Sequence, residues 1–173
     1  MEIFIVSFYS YLLGSIPFGL IYTRIAGLGD VRDIGSGNIG ATNVLRTGNK
    51  RVAAFTLISD IAKGSIAILI TEKYYSEFVL MSFLIVYLGH IFPVWLKFKV
   101  GKGVATFIGG ILVVNHILCI VFLITWAIVV KIFKISSLSA IVAFIATLLV
   151  TFILYERNLS LLMFFFTIFS IYT

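Results

Sequence analysis

Long apolar runs broken by short polar stretches set out this chain. A membrane-spanning helix needs about 20 mostly apolar residues. Residues 3–23 supply the first such run, closed by Arg24. Pro17 sits between Gly14 and Gly19, which predicts a kink there, and Gly14-Ser15 permits a close helix approach. Residues 25–50 read as a polar loop, 52–70 as a second helix and 71–77 as a short polar turn. A third helix is expected over 78–96, with Gly89-His90 and Pro93 near its end, and then a basic loop with Lys97, Lys99 and Lys102. Residues 103–130 read as one long helix or as two short ones broken at Asn115-His116, a turn-capable polar pair. Residues 131–137 form the next polar connection, 138–155 a further helix, and 156–158 a tight turn. The last segment, 159–172, is short for a full span.

The positions of the cations bear on that ambiguity. With a break at 115–116 the chain has seven segments. Arg24, Arg32, Arg46, Lys50, Arg51, Lys97, Lys99, Lys102, Lys131 and Lys134 then share one side, against Lys73 and Arg157 on the other. Cytoplasmic loops collect Lys and Arg, so this split slightly favours seven segments over the unbroken alternative. The expected fold is an all-α, polytopic membrane helix bundle of about seven transmembrane segments. Its N-terminus lies outside, and residues 1–173 form a single domain. The N-terminal run has no basic leader and no small-residue cleavage site, so it is expected to be a retained first helix.

Composition agrees: 61% of residues are hydrophobic and 12% charged, against about 45–50% and about 25% in a soluble domain. The net charge of +6 would suggest nucleic acid in a soluble protein. Here the sidedness of the loops accounts for most of it, and anionic head groups or substrates for the rest. The one cysteine, Cys119, lies in an apolar run, and His90 and His116 stand apart. No disulfide framework, metal site or cofactor is therefore expected.

Against this background, residues 35–46 are out of place. Gly35, Gly37 and Gly40 free backbone N–H groups to face a guest. Ser36, Asn38, Thr42 and Asn43 add side-chain donors, and Arg46 adds a cationic fork that fits phosphate. The set suggests a phosphate cradle, with a loop of small residues packed between helices as the plainer reading. Gly101-Lys102-Gly103 before a helix start is a second anion-site candidate, although a basic flank with a glycine turn also explains it. Asp60 and Lys63 share one helix face, either as a buried pair that sets helix register or as lining of a polar cavity. His90 is a candidate for catalysis or for an interfacial hydrogen bond. Ser136-Ser137 after Lys134 reads first as a helix cap.

The motifs Gly-Ser-Gly-Asn-x-Gly-Ala-Thr-Asn-x-x-Arg at 35–46, Gly-His-x-x-Pro at 89–93 and Phe-Lys-x-Gly-Lys-Gly-Val-Ala-Thr at 98–106 resemble the bacterial acyl-phosphate:glycerol-3-phosphate acyltransferases, the PlsY family. Leu-Gly-Ser-Ile-Pro-Phe-Gly at 13–19 and Asp60-x-x-Lys63-Gly64 also match, and Ser-Leu-Ser-x-Ile at 137–141 fits less distinctively. The resemblance implies a seven-helix enzyme of the bacterial inner membrane with its site on the cytoplasmic face. The implied reaction moves a fatty acyl group from acyl phosphate to the 1-hydroxyl of glycerol 3-phosphate. Its products are lysophosphatidic acid and phosphate, in phospholipid synthesis. The lipid bilayer is its setting, and an acyl-phosphate synthase of the PlsX type is the implied partner. By similarity Ser36, Arg46 and Lys102 are the catalytic set. Gly35, Gly37, Asn38, Gly40, Thr42, Asn43, Gly101, Gly103, Thr106 and Ser137 bind substrate or phosphate, and Lys63, Asp60 and His90 are further candidates.

Two departures stand out. Val100 occupies a position where the family usually has Gly, and the sequence ends at Ile171-Tyr172-Thr173, where the family's polar tail with a His and an Asn is expected to begin. A small anion transporter, or a relative that binds lipid phosphates without catalysis, is the alternative reading.

Overall fold

The structure, a computed structural model, describes residues 1–98 and 101–172. The expectations that involve Lys99, Val100 and Thr173 lie outside the described residues.

The chain is helical throughout its long apolar runs: α1 (Glu2–Ser15), α2 (Phe18–Ile25), α3 (Ala41–Val44), α4 (Lys50–Tyr74), α5 (Val79–Ile91), α6 (Val104–Val114), α7 (His116–Phe133), α8 (Ser136–Leu154) and α9 (Arg157–Tyr172). Among the described residues five segments are long and apolar enough to cross a membrane: Glu2–Ile25, Lys50–Tyr74, Ser76–Leu96, His116–Phe133 and Ser136–Leu154. Val104–Val114 and Arg157–Ile171 are shorter apolar helices. Many large apolar side chains face outward, among them Phe4, Phe8, Phe55, Phe152 and Ile153. An outer surface of this kind suits lipid.

Helix boundaries follow local chemistry. Pro17 has no N–H to give, and Ile16 before it is extended (φ −65°, ψ 116°), so α1 stops at Ser15 and α2 restarts at Phe18. The open choice over 103–130 resolves into two helices. Asn115 leaves the helical region, and its Oδ1 accepts the Leu118 N–H at 3.0 Å as the N-cap of α7. Three expectations need correction. The second helix runs from Lys50 to Tyr74: Asn49 caps its start by accepting the Val52 N–H at 3.1 Å, and its last turn absorbs most of the expected 71–77 turn, closing where the Tyr75 N–H donates to the Thr71 carbonyl. The third helix ends as α-helix at Ile91, two residues before Pro93, and continues only as a 3-10 turn over Val94–Leu96. The serines after Lys134 do not occupy the cap: Ile135 does, and the Ser139 hydroxyl donates back to the Ile135 carbonyl at 2.7 Å.

The chain groups into two compact units, Met1–Gly110 and Ile111–Thr173. In the first, glycines bring backbones together. A Cβ on Gly14 would strike the Val86 carbonyl of α5, one on Gly89 the Tyr11 carbonyl of α1, and one on Gly64 the Thr106 carbonyl of α6. Small residues at such crossings supply the packing that holds membrane helices together. In the second unit Phe122 and Phe144 pack edge to face, 5.0 Å between centroids.

Candidate functional site

The 25–50 segment, expected to be a polar loop, carries a core of its own. Val31, Ile39 and Val44 are buried against Leu20 of α2, Ala53 of α4 and Leu96. Leu96, at the end of the 3-10 turn after α5, completes this core. Above it, Asp30 caps a 3-10 turn over Val31–Asp33 by accepting the Arg32 N–H at 3.0 Å. Its carboxylate also pairs with Arg32 at 2.6 Å and Arg24 at 3.0 Å. The Arg32 side chain foremost, aided by the Arg32 N–H and by Arg24, holds the Asp30 carboxyl well below the usual carboxylate range against the opposing effect of burial.

Asn43 organises the rest of the loop. It is 2% exposed. Its amide N–H groups donate to three carbonyls, those of Asn38 (2.7 Å), Val31 (2.8 Å) and Ile34 (3.1 Å). Its Oδ1 accepts the Ser36 N–H at 3.1 Å. One side chain thus closes a turn that would otherwise leave backbone groups unpaired. Gly35, at φ +54°, passes so close to Asn43 and to the Arg46 side chain that any Cβ would collide with both. The result is a fixed polar rim. Ser36, Thr42 and Arg46 are exposed on it, and Arg46 has no acidic partner among the described residues. The Asn38 Oδ1 is enclosed and accepts no hydrogen bond among the described residues. Gly37 sits at φ +70°, and Gly40 precedes α3 with open space around it.

On the second loop, Gly101 presses against the His90 carbonyl and ring. Gly103, at φ +70°, lies against the Tyr87 ring, and the Tyr87 hydroxyl donates to the Lys102 carbonyl at 3.4 Å. The Lys102 side chain is half-buried.

The remaining candidates are deep. Lys63 pairs with Asp60 at 2.8 Å, and both side chains are 2% exposed. His90 Nδ1 lies 3.7 Å from Asp60 and shares a hydrogen bond with the Thr106 hydroxyl at 3.1 Å. Thr106 is therefore fully buried with its hydroxyl engaged. The Asp60–Lys63 spacing was legible in the sequence. Its union with His90 and Thr106 was not, since these lie on three helices. Ser137 is half-buried in the first turn of α8, within the second unit.

The family model for glycerol-3-phosphate acyltransferase matches residues 4–173. The chain belongs to that family. A glycerol-3-phosphate acyltransferase of Sinorhizobium medicae (strain WSM419) is 58% identical over 135 residues, 78% of this chain and 66% of its own length. One from Pelagibacter ubique (strain HTCC1062) is 53% identical over 142 residues, 82% of this chain and 74% of its own. Among solved structures, PlsY (YgiH), an integral membrane glycerol 3-phosphate acyltransferase, is similar in its glycerol 3-phosphate form. The TM-score is 0.92 at 33% identity, over 99% of this chain and 88% of that one. Its lysophosphatidic acid form gives a TM-score of 0.90 at 32% identity, over 99% and 87%. This member of the acyltransferase family is accordingly an all-helical integral membrane protein.

Proposed function

We propose that the chain transfers a fatty acyl group from acyl phosphate to the 1-hydroxyl of glycerol 3-phosphate. The hydroxyl oxygen bonds to the acyl carbon, and the bond from that carbon to the phosphate oxygen breaks. Inorganic phosphate leaves, and the hydroxyl proton passes to a substrate phosphate oxygen. Acyl phosphate is a mixed anhydride and arrives activated. The work left to the protein is to hold two phosphates together and exclude water.

One observation carries the reading: an exposed arginine, with no acidic partner among the described residues, stands on a rim that Asn43 closes over a buried apolar core. Ser36 and Arg46 grip one phosphate, and Lys102 neutralises the other. Gly35, Gly37, Gly40 and Thr42 shape the cradle, and Asn43 holds it closed. The Asn38 Oδ1 suits a donor such as a glycerol hydroxyl. The names of the similar structures, which include a glycerol 3-phosphate form and a lysophosphatidic acid form, support these substrates. The distribution of cations supports a site facing the cytoplasm of a bacterial inner membrane, with the N-terminus outside. An acyl-phosphate synthase is the class of partner that must supply the donor.

Purified protein in detergent, given acyl phosphate and labelled glycerol 3-phosphate, is expected to form lysophosphatidic acid. Ser36→Ala and Arg46→Ala are each expected to lower the rate about 100-fold or more. Phosphate uptake into liposomes without acyl transfer would replace this reading with transport.

A further inference from the structure

The deep polar groups of the first unit are too enclosed to meet substrate. The Lys63 ammonium has its directions taken: Asp60 at 2.8 Å, the Ile16 carbonyl at 2.8 Å, and the face of Phe18 5.6 Å from the ring centre. The Ile16 carbonyl is available because of the Pro17 break. In a continuous helix it would accept from the residue four positions on; here it is left with the Phe18 N–H at 3.1 Å and the lysine. Asp60 faces Lys63 and His90, and His90 faces Thr106. A buried charge pair in a membrane helix is costly, and well-packed apolar residues usually serve stability as well. What the pair provides here is placement.

The placement falls on both phosphate loops. At one end His90 abuts Gly101, and the following turn is held by Tyr87, which packs on Gly103 and donates to the Lys102 carbonyl. The main chain of Lys102 is bracketed on both sides by residues of α5. At the other end, the α1–α2 break capped by Lys63 leads straight to Gly19, whose Cα lies against the Ile39 carbonyl of the 35–46 loop. One buried chain of contacts therefore runs from the base of the cradle to the base of the Lys102 turn, through Ile16, Lys63, Asp60, His90 and Thr106.

We propose that Asp60, Lys63, His90 and Thr106 are positioning residues: they fix the Gly101–Gly103 turn relative to the 35–46 loop, so that Lys102 meets the substrate phosphate. This rests on the proposed acyl-transfer reading. Thr106, matched by similarity to a phosphate-binding position, acts through His90 and does not touch phosphate.

The test uses KM for glycerol 3-phosphate and the inhibition constant of inorganic phosphate, because neither depends on the fraction of enzyme that is folded. Thr106→Val keeps the shape of the side chain and removes its hydroxyl. It is expected to raise both constants about 10-fold, and Thr106→Ser to return them to within about threefold of the parent, since small misplacements far from the chemistry are costly. Gly101→Ala, which drives a methyl into His90, is expected to raise both in the same way. Unchanged constants in Thr106→Val and Gly101→Ala would overturn the proposal, as would a fall in rate that only tracks the folded fraction by size-exclusion. Full activity in Ser36→Ala and Arg46→Ala would instead overturn the acyl-transfer reading. If those two are inactive while Thr106→Val behaves as the parent, only the positioning network fails.

Discussion

The two units satisfy their buried polar side chains in different ways. In the first, many polar side chains reach from one helix to another, while Thr23 and Thr56 turn back onto their own. Ser10 meets Ser82 at 2.8 Å, Tyr9 meets Thr71 at 2.5 Å, and Tyr22 meets Ser59 at 2.8 Å. The Tyr11 hydroxyl donates to the Phe92 carbonyl at 2.7 Å, Ser65 to the Gly109 carbonyl at 2.8 Å, and the Trp95 indole to Ser15 at 2.9 Å. In the second, most turn back onto their own helix: Thr147 to Ala143, Thr151 to Thr147, Thr167 to Met163 and Ser170 to Thr167. A bond to the same helix satisfies a hydroxyl without fixing any neighbour. A bond across helices sets register and spacing. The unit with the cross-linked helices is the one that carries the Arg46 and Lys102 loops, which suggests that polar stitching serves to hold those loops in place.

Substitutions in the two units should therefore have unequal effects on thermal or denaturant unfolding in detergent. The largest is expected for Lys63→Met, which strands Asp60 and uncaps the Ile16 carbonyl; breaking a buried pair costs about 3–5 kcal/mol. A loss under about 1 kcal/mol would show that the pair does little structural work. Next comes Gly14→Leu, which forces α1 off the Val86 carbonyl at a cost of about 1–3 kcal/mol. Third is the direct contrast. Ser10→Ala should cost about 0.6–1 kcal/mol, whereas Thr147→Val should stay within about 0.5 kcal/mol. Equal costs would erase the distinction between the units.

A small, pH-dependent effect is expected outside the helices, at Asp30. Its carboxyl titrates below the ordinary range in the folded chain, so its charge stabilises the fold at neutral pH. Asp30→Asn should cost about 0.5–1 kcal/mol there, because Arg24 and Arg32 are partly exposed. The parent's advantage should shrink as the pH drops below about 4 and vanish below the folded-state value. A difference between parent and variant that stayed constant from pH 7 to pH 3 would contradict the assignment.

Much of the helical order was legible because apolar runs of the right length carry their own punctuation. Pro17 and Asn115 each leave a mark that local sterics and capping read directly. Ends were less legible where charged residues continue a helix beyond its apolar run, as Lys50 and Arg51 do at the start of α4 and Glu72 and Lys73 do near its end. The core under the 25–50 segment was hidden for another reason. Val31, Ile39 and Val44 follow no helical or strand period, since a closed loop aims its apolar side chains by its turns. The chemistry of the cradle could be read from residue types alone, but the division of labour within it could not. Asn43 reads as a donor like Asn38, and only the fold shows that its amide is spent on three carbonyls.

That division of labour is the central claim: the cradle works because Asn43 holds it rigid beneath an exposed Ser36 and Arg46. The most direct test is kcat/KM for acyl transfer in Asn43→Asp, which keeps the shape but cannot donate to the three carbonyls. The account predicts a fall of about 100-fold or more with the helical circular dichroism unchanged. Activity close to that of the parent, with the variant folded, would contradict it.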